Sequence, residues 1–179
     1  MKINYFQLTS ASTIDLEFTI SAPICVIRGR YSDLALDLIC ELIGDYSAQS
    51  DPDRFDDGRF VIHADVEIDD KNYNVCYIRN ADFIGDNRLA VNFEPNSISF
   101  SEDDTREYVD KCKEDDCSPM FIYDYFDHLV EAEDITYLLD QLSKFRRQIF
   151  IAVCPNYPIE KMKHRSVQII NMEACNGEN

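Results

Sequence analysis

The sequence predicts an α/β fold: a mixed sheet with a parallel centre, flanking helices and an antiparallel β hairpin excursion. Three observations carry this. The runs ICVIR from Ile24 and IFIAV from Ile149 are continuously apolar and largely β-branched, the pattern of strands buried on both faces. Helical spacing of apolar residues follows the first run and precedes the second. Between them, residues 60–79 alternate with a period of two about an Asp-rich turn, as a half-buried hairpin does. The 179 residues suffice for one domain with a substantial core and are too few for two ordinary ones. Within a single 1–179 domain, residues 1–46 hold the N-terminal strands and a first strand–turn–helix unit. Residues 59–93 hold the hairpin region, and residues 100–171 a helix and the remaining strands.

Residues 2–8 and 13–20 alternate as two strands, with Ile3 and Tyr5 in one and Leu16 and Phe18 in the other. Pro23 precedes the first buried run. From Asp33 onward Leu34, Leu38 and Leu42 recur at helical spacing until Gly44, which can end a helix. Residues 47–58 are polar and Asp-rich, a surface connection. In the hairpin Phe60, Ile62, Ala64, Val66 and Ile68 form one face, residues 69–72 the turn, and residues 73–79 the return. His63, Asp65 and Glu67 line the other face; the spacing could hold a metal ion, and a solvated sheet face explains it more simply. Residues 89–93 form a short strand. Residues 99–116 then read as a helix with Ser101 as N-cap and Asp104 at the third position, its acidic first turn complementing the helix dipole. After a strand at residues 120–123, Asp134 is placed to cap a helix with an apolar stripe of Ile135, Leu138, Leu139, Leu142 and Phe145. Residues 149–153 and 166–171 are the last strands.

The chain carries a formal charge of −17, whose field opposes nonspecific attraction to nucleic acid phosphates or anionic membranes. A local basic patch remains, since Lys144, Arg146 and Arg147 lie close together. The seven cysteines are scattered without paired CxxC spacing, so the sequence gives no sign of a zinc site. Several sit in apolar runs and behave as small hydrophobes, as suits a reducing, cytoplasmic setting. The expected chain lacks a signal peptide and any apolar run long enough to span a membrane.

With these elements placed, the whole chain resembles a minimal ATP-binding-cassette-type P-loop ATPase of the RecF/SMC-like kind. KINYFQLTSASTIDLEFTISAPICVIRG matches the family's opening strands, and ICVIRGRYSDLALDLICELIG its phosphate-loop strand, loop and helix. SFSEDDTRE falls where the signature motif opens its helix. MFIYDYFDHL resembles Walker B with the following loop, IFIAVCPN the strand of the switch histidine, and SVQIINME the terminal strand. The resemblance implies nucleotide-site positions at Gly29, Arg30, Ser32 and Asp124, degenerate in this chain, with Asp124 as the carboxylate that would hold Mg²⁺ through water.

Each departure has a chemical meaning. A phosphate loop needs glycines so that backbone N–H groups converge, a lysine to reach the β and γ oxygens, and a hydroxyl for Mg²⁺. Gly29 stands alone at its start; Ala35 falls at the lysine position, Leu36 at the hydroxyl position, and Asp33 adds negative charge. Arg28 and Arg30 offset that charge without the lysine's reach. Tyr125 replaces the glutamate that would take a proton from water, and a phenol titrates near pH 10. Cys154 replaces the switch histidine, and Glu102 and Asp103 replace signature glycines after Ser101. Each lost group typically costs about 10²–10⁴ in rate. The expectation therefore leans against an enzyme, with no catalytic residues, no metal and no cofactor assigned.

Three functions remain open. The first is a non-catalytic interaction or regulatory subunit whose protein partner, basic or a related ATPase, meets a face carrying Arg30, Asp33, Ser101–Asp104 and Asp127–His128. A homo-oligomer is left open, membrane binding is not expected, and nucleic acid is disfavoured as a direct partner. The second is an ATPase that binds ATP and Mg²⁺ with an unusual loop completed by a partner chain. The third is an acidic DNA mimic that inhibits a DNA-binding protein.

Overall fold

The computed structural model describes residues 1–10, 15–42, 59–80, 88–93, 100–116, 118–123, 125–129 and 131–172. Among these, nine strands form two separate sheets. The first is antiparallel. Strand β1 (Lys2–Ser10) pairs with β2 (Asp15–Thr19) on one side and β4 (Arg59–Ile68) on the other, followed by β5 (Lys71–Asn80) and β6 (Arg88–Asn92). The second is parallel, in the order β7 (Met120–Ile122), β8 (Ile149–Val153), β3 (Ile24–Arg28) and β9 (Val167–Asn171).

The expected single mixed sheet is thus corrected to two. The reason lies in the edges of β1 and β3. Both edges of β1 are taken by β2 and β4, so the N-terminal strands close on the hairpin rather than on the parallel strands. Both edges of β3 are taken by β8 and β9. What stands is an α/β arrangement with a four-stranded parallel sheet and a five-stranded antiparallel one.

The hairpin turn is tighter than the four residues expected. Asp69 and Asp70 alone connect β4 to β5, with φ of 51° and 62°. A two-residue hairpin requires positive φ at both positions to match strand twist, and aspartate is among the few non-glycine residues that tolerate it. The solvent-facing stripe is tied to neighbouring amides: Asn74 donates to Asp65, and Asn4 Nδ2 donates to Glu67 at 3.3 Å.

Three helices cover the sheets. Helix α1 (Ser32–Leu42) buries its leucines between the two sheets; Gly44, the expected stop, lies outside the described residues. Helix α2 (Glu102–Glu114) is capped as its sequence indicates, Ser101 Oγ accepting from the Asp104 N–H at 3.0 Å. It packs on the antiparallel sheet through Tyr108, whose ring lies 5.4 Å from that of Tyr73 and whose hydroxyl donates to the Leu42 carbonyl at 2.7 Å. Helix α3 (Ala132–Leu142) begins after Glu131, so Asp134 sits inside the first turn rather than at the cap. There its charge still favours the helix dipole. Phe145, expected on the apolar stripe, lies beyond the helix end and is 50% exposed.

Strands β3 and β8 divide their side chains between two cores. Cys25, Ile27, Phe150 and Ala152 face α1 and the antiparallel sheet, while Ile24, Val26, Ile149, Ile151 and Val153 face α3. Each such fully buried aliphatic side chain stabilises the fold by about 1.5–3 kcal/mol relative to exposure. Burial pushes the Cys25 thiol up to about 12, so it acts as an apolar group. Cys117 and Cys175 lie outside the described residues; the other five cysteines are free thiols.

Two glutamines stitch the sheets together. Beyond the Tyr5–Thr19 pair the Ile20 N–H still donates to the Asn4 carbonyl at 2.9 Å, and Gln148 serves Ile3 after it. Its Oε1 accepts from the Ile3 N–H and its Nε2 donates to the Ile3 carbonyl, both at 2.8 Å and both buried. Gln168 of β9 donates to the Thr19 carbonyl at 2.8 Å and accepts from the Ser21 N–H at 2.8 Å. Replacing Gln148 with leucine keeps the volume and leaves two buried backbone groups unsatisfied. Urea denaturation of Gln148→Leu should show a loss of roughly 2–4 kcal/mol; a change below about 0.5 kcal/mol would mean that the clamp contributes nothing.

Candidate functional site at the C-terminal edge of the parallel sheet

In open parallel sheets a ligand crevice forms at the C-terminal strand ends where successive connections leave to opposite faces. The β3/β8 pair is such a point. After β3 the chain turns into α1, whose Leu34, Ala35, Leu36 and Leu38 join the larger core; after β8, Tyr157 and Met162 join the core on the α3 face. Gly29, Arg30 and Cys154 therefore share one edge by topology.

The β3–α1 connection consists of Gly29, Arg30 and Tyr31. Several polar groups in and beside it are paired within the protein. The Gly29 N–H donates to the Val153 carbonyl at 3.2 Å, and the Ser32 N–H to the Gly29 carbonyl at 3.3 Å. The Ser32 hydroxyl is buried and donates to the same Val153 carbonyl at 3.1 Å. Gly29 has φ of +152°, a conformation that favours glycine, and a Cβ there would come within 2.9 Å of the Met172 Cβ. Met172, just past β9, thus closes over the turn. Arg30 is exposed, its guanidinium 5.8 Å from the Tyr31 ring centroid. Ala35 and Leu36 are fully buried and face the core rather than the turn.

Asp124 lies outside the described residues. The residues beside it are fixed by contacts that sequence reasoning missed. The Tyr123 hydroxyl donates to Asp37 Oδ1 of α1 at 3.0 Å and lies 3.6 Å from the Cys40 Sγ. Burial, then the Cys40 and Asp37 neighbours, push the Tyr123 phenol far up, so it stays a neutral donor. Tyr125 is 57% exposed. A short 3₁₀ turn follows at Phe126–His128, anchored by the buried Phe126.

Asp127 reaches the β8 end, its Oδ1 accepting from the Cys154 N–H at 3.0 Å. Partial burial, then hydrogen bonding and charge from Asp127, raise the Cys154 thiol above its ordinary value. A thiol shifted upward is mostly protonated at neutral pH, which makes it a poor nucleophile. No periodicity marks Asp127 as the acceptor; its position two residues past Tyr125 was the only available signal.

The structure brings Gly29, Ser32, Asp127 and Cys154 together around the Val153 end of β8. Ser101–Asp104 belong elsewhere in the hydrogen-bond pattern: Ser101 bridges Val91 of β6, and Thr105 Oγ1 accepts from the Val91 N–H at 3.2 Å. Among the described residues no cluster of three or more His, Cys, Asp or Glu could hold a metal ion, and no helix is long and apolar enough to cross a membrane. No family model matches the chain, and no curated protein matches it.

Two outcomes follow from this geometry. Gly29→Ala should cost about 1–3 kcal/mol in urea denaturation through positive-φ strain and the Met172 contact. Gly29→Ala combined with Met172→Gly, which removes the Met172 Cβ, should relieve the contact but not the strain. For Cys154, a raised pKa means less thiolate at any given pH. Its alkylation by iodoacetamide at pH 8, followed by mass spectrometry of the Cys154 peptide, should be slower than for an unstructured cysteine peptide. Asp127→Asn removes the charge, lowers the pKa and should speed the reaction; an unchanged rate would show that Asp127 has no part in the shift and leave burial as its cause.

Proposed function

We propose that the chain is a non-catalytic relative of the P-loop ATPases it resembles, working as an interaction or regulatory subunit that binds another protein. The observation that carries this reading is the three-residue β3–α1 turn. A phosphate cradle needs several converging backbone N–H groups with room in front of them. Here the Gly29 N–H and the Ser32 hydroxyl both serve the Val153 carbonyl, and Met172 stands against Gly29. Asp33 lies in the first turn of α1, where a triphosphate's charge would meet it. On this reading the turn does not take Mg-ATP, and no hydrolytic step is assigned to Asp124, Tyr125 or Cys154.

The architecture supports the ancestry half of the reading. Strand β8, with Cys154 after it, lies between the Gly29 strand and β7, so the three ends reach one edge. That edge offers a partner the exposed Tyr125 ring with Arg30 and His128. An exposed aromatic ring with an arginine on the same edge suits an anchor in a protein interface.

Isothermal titration with ATP and Mg²⁺ tests the reading. We expect no saturable heat up to about 1 mM nucleotide, corresponding to binding weaker than about −4 kcal/mol, and no phosphate release. Binding in the micromolar range would overturn it in favour of a nucleotide-dependent protein.

A further inference from the structure

The opposite, N-terminal edge of the parallel sheet holds a cleft of about 490 Å³. It is separated from the Gly29 turn by the length of β3, about 16 Å at strand rise. Its lining comes from the start of β1, the link between β2 and β3 at residues 20–23, and residues 145–148 leading into β8. Lys2, Arg146 and Arg147 are exposed along it, beside the half-exposed ring of Phe145.

Among the described residues these cations form no ion pair with the protein's acids. Arg147 Nη2 donates to the Asp116 backbone carbonyl at 2.6 Å, which fixes the side chain without cancelling its charge. The Met1 α-amino group, also at the cleft, is paired with the Asp115 carboxylate at 2.5 Å. In a chain with 34 acidic against 17 basic residues, three cations outside ion pairs among the described residues concentrate positive charge around one cleft. Gln148 is committed to Ile3 and only shapes the wall.

We infer that this cleft docks a short acidic peptide segment of a partner protein, with an apolar side chain seated against Phe145. Size and range select this occupant. Screening confines the attraction of the three cations to about 8 Å at physiological salt. A peptide segment fits inside that radius, whereas a nucleic acid or an anionic bilayer extends past it and meets the −17 body. The cleft volume accommodates a few side chains, and a cationic rim beside an aromatic ring gives both charge complementarity and an apolar anchor. The inference is independent of the reading above, since nucleotide binding at the other edge would leave it standing.

Fluorescence anisotropy with a labelled Glu-Glu-Phe-Glu-Glu peptide, about 16 Å long when extended, tests it on the full chain at low salt. Saturable binding is expected, weakening about tenfold or more when Lys2→Glu and Arg146→Glu are combined. Lys2→Arg with Arg146→Lys should retain it, and Phe145→Ala should weaken it several-fold. Unchanged thermal melting of these surface variants excludes a folding artefact. The inference is overturned by absent binding, by equal binding of the same peptide with lysine for glutamate, or by indifference to the charge reversal. Tighter binding of oligothymidylate or phosphatidylserine vesicles would assign the cleft to another class of ligand. Self-association in ultracentrifugation that the charge reversal abolishes would assign it to a second copy of the chain.

Discussion

Because β3 and β8 are buried on both faces, their alternate side chains must satisfy two cores at once. Cys25, Ile27, Phe150 and Ala152 fill the space beneath α1 and the antiparallel sheet, while Ile24, Val26, Ile149 and Ile151 fill the space beneath α3. A slip of one residue in either strand would exchange the two sets, so register here is fixed from both sides. The other elements are arranged around that constraint. The antiparallel sheet and α1 cover one face, α3 covers the other, and the connections after β3 and β8 must leave in opposite directions. The shared edge at their ends follows from burial before any functional residue is considered.

The two edges of the parallel sheet differ in how their polar groups are used. At the C-terminal edge hydrogen bonds turn inward: the Val153 carbonyl takes two donors, Asp127 serves the Cys154 backbone, and Tyr123 is bound to Asp37. Those bonds stabilise a tight strand-to-helix turn. At the N-terminal edge Gln148 satisfies the backbone, and the cationic side chains around it remain turned outward. Polar groups are spent on internal pairing at one end, and at the other the described cations lie outside ion pairs.

Much of this fold was legible in the sequence because its signals are local. The unbroken apolar runs of β3 and β8, the alternation of β4 and β5, and the Ser101 cap each depend on a few neighbouring residues. The division into two sheets was not legible. It depends on which edges of β1 and β3 are already occupied, a long-range property that periodicity does not record. The start of α3 was misplaced because Asp134 is as good a capping residue as any nearby, yet the chain enters the helix at Glu131. At the candidate site, Gly29 stood out as the lone glycine of its turn. Met172 did not, because its contact with Gly29 comes from a residue just past the last strand, far along the chain. Gln148 and Gln168 were likewise invisible, since a polar residue that serves a distant backbone group looks like any surface residue in sequence; Asp127 was read as part of a partner face and not as the acceptor for Cys154.

The pairing of β3 also governs the order in which the molecule can assemble. The β4–β5 hairpin closes across two residues and can form as soon as it is made. Strand β3 has no partner until β8 and β9 exist, and the clamp between Ile3 and Gln148 joins residues 145 apart in sequence. Closing so long a loop carries an entropy cost that local contacts do not help to meet. During synthesis, one of the most apolar segments of the chain therefore waits, unpaired on both edges, while more than a hundred later residues are made. The double burial that fixes the finished fold is, for the nascent chain, a period of exposure to aggregation.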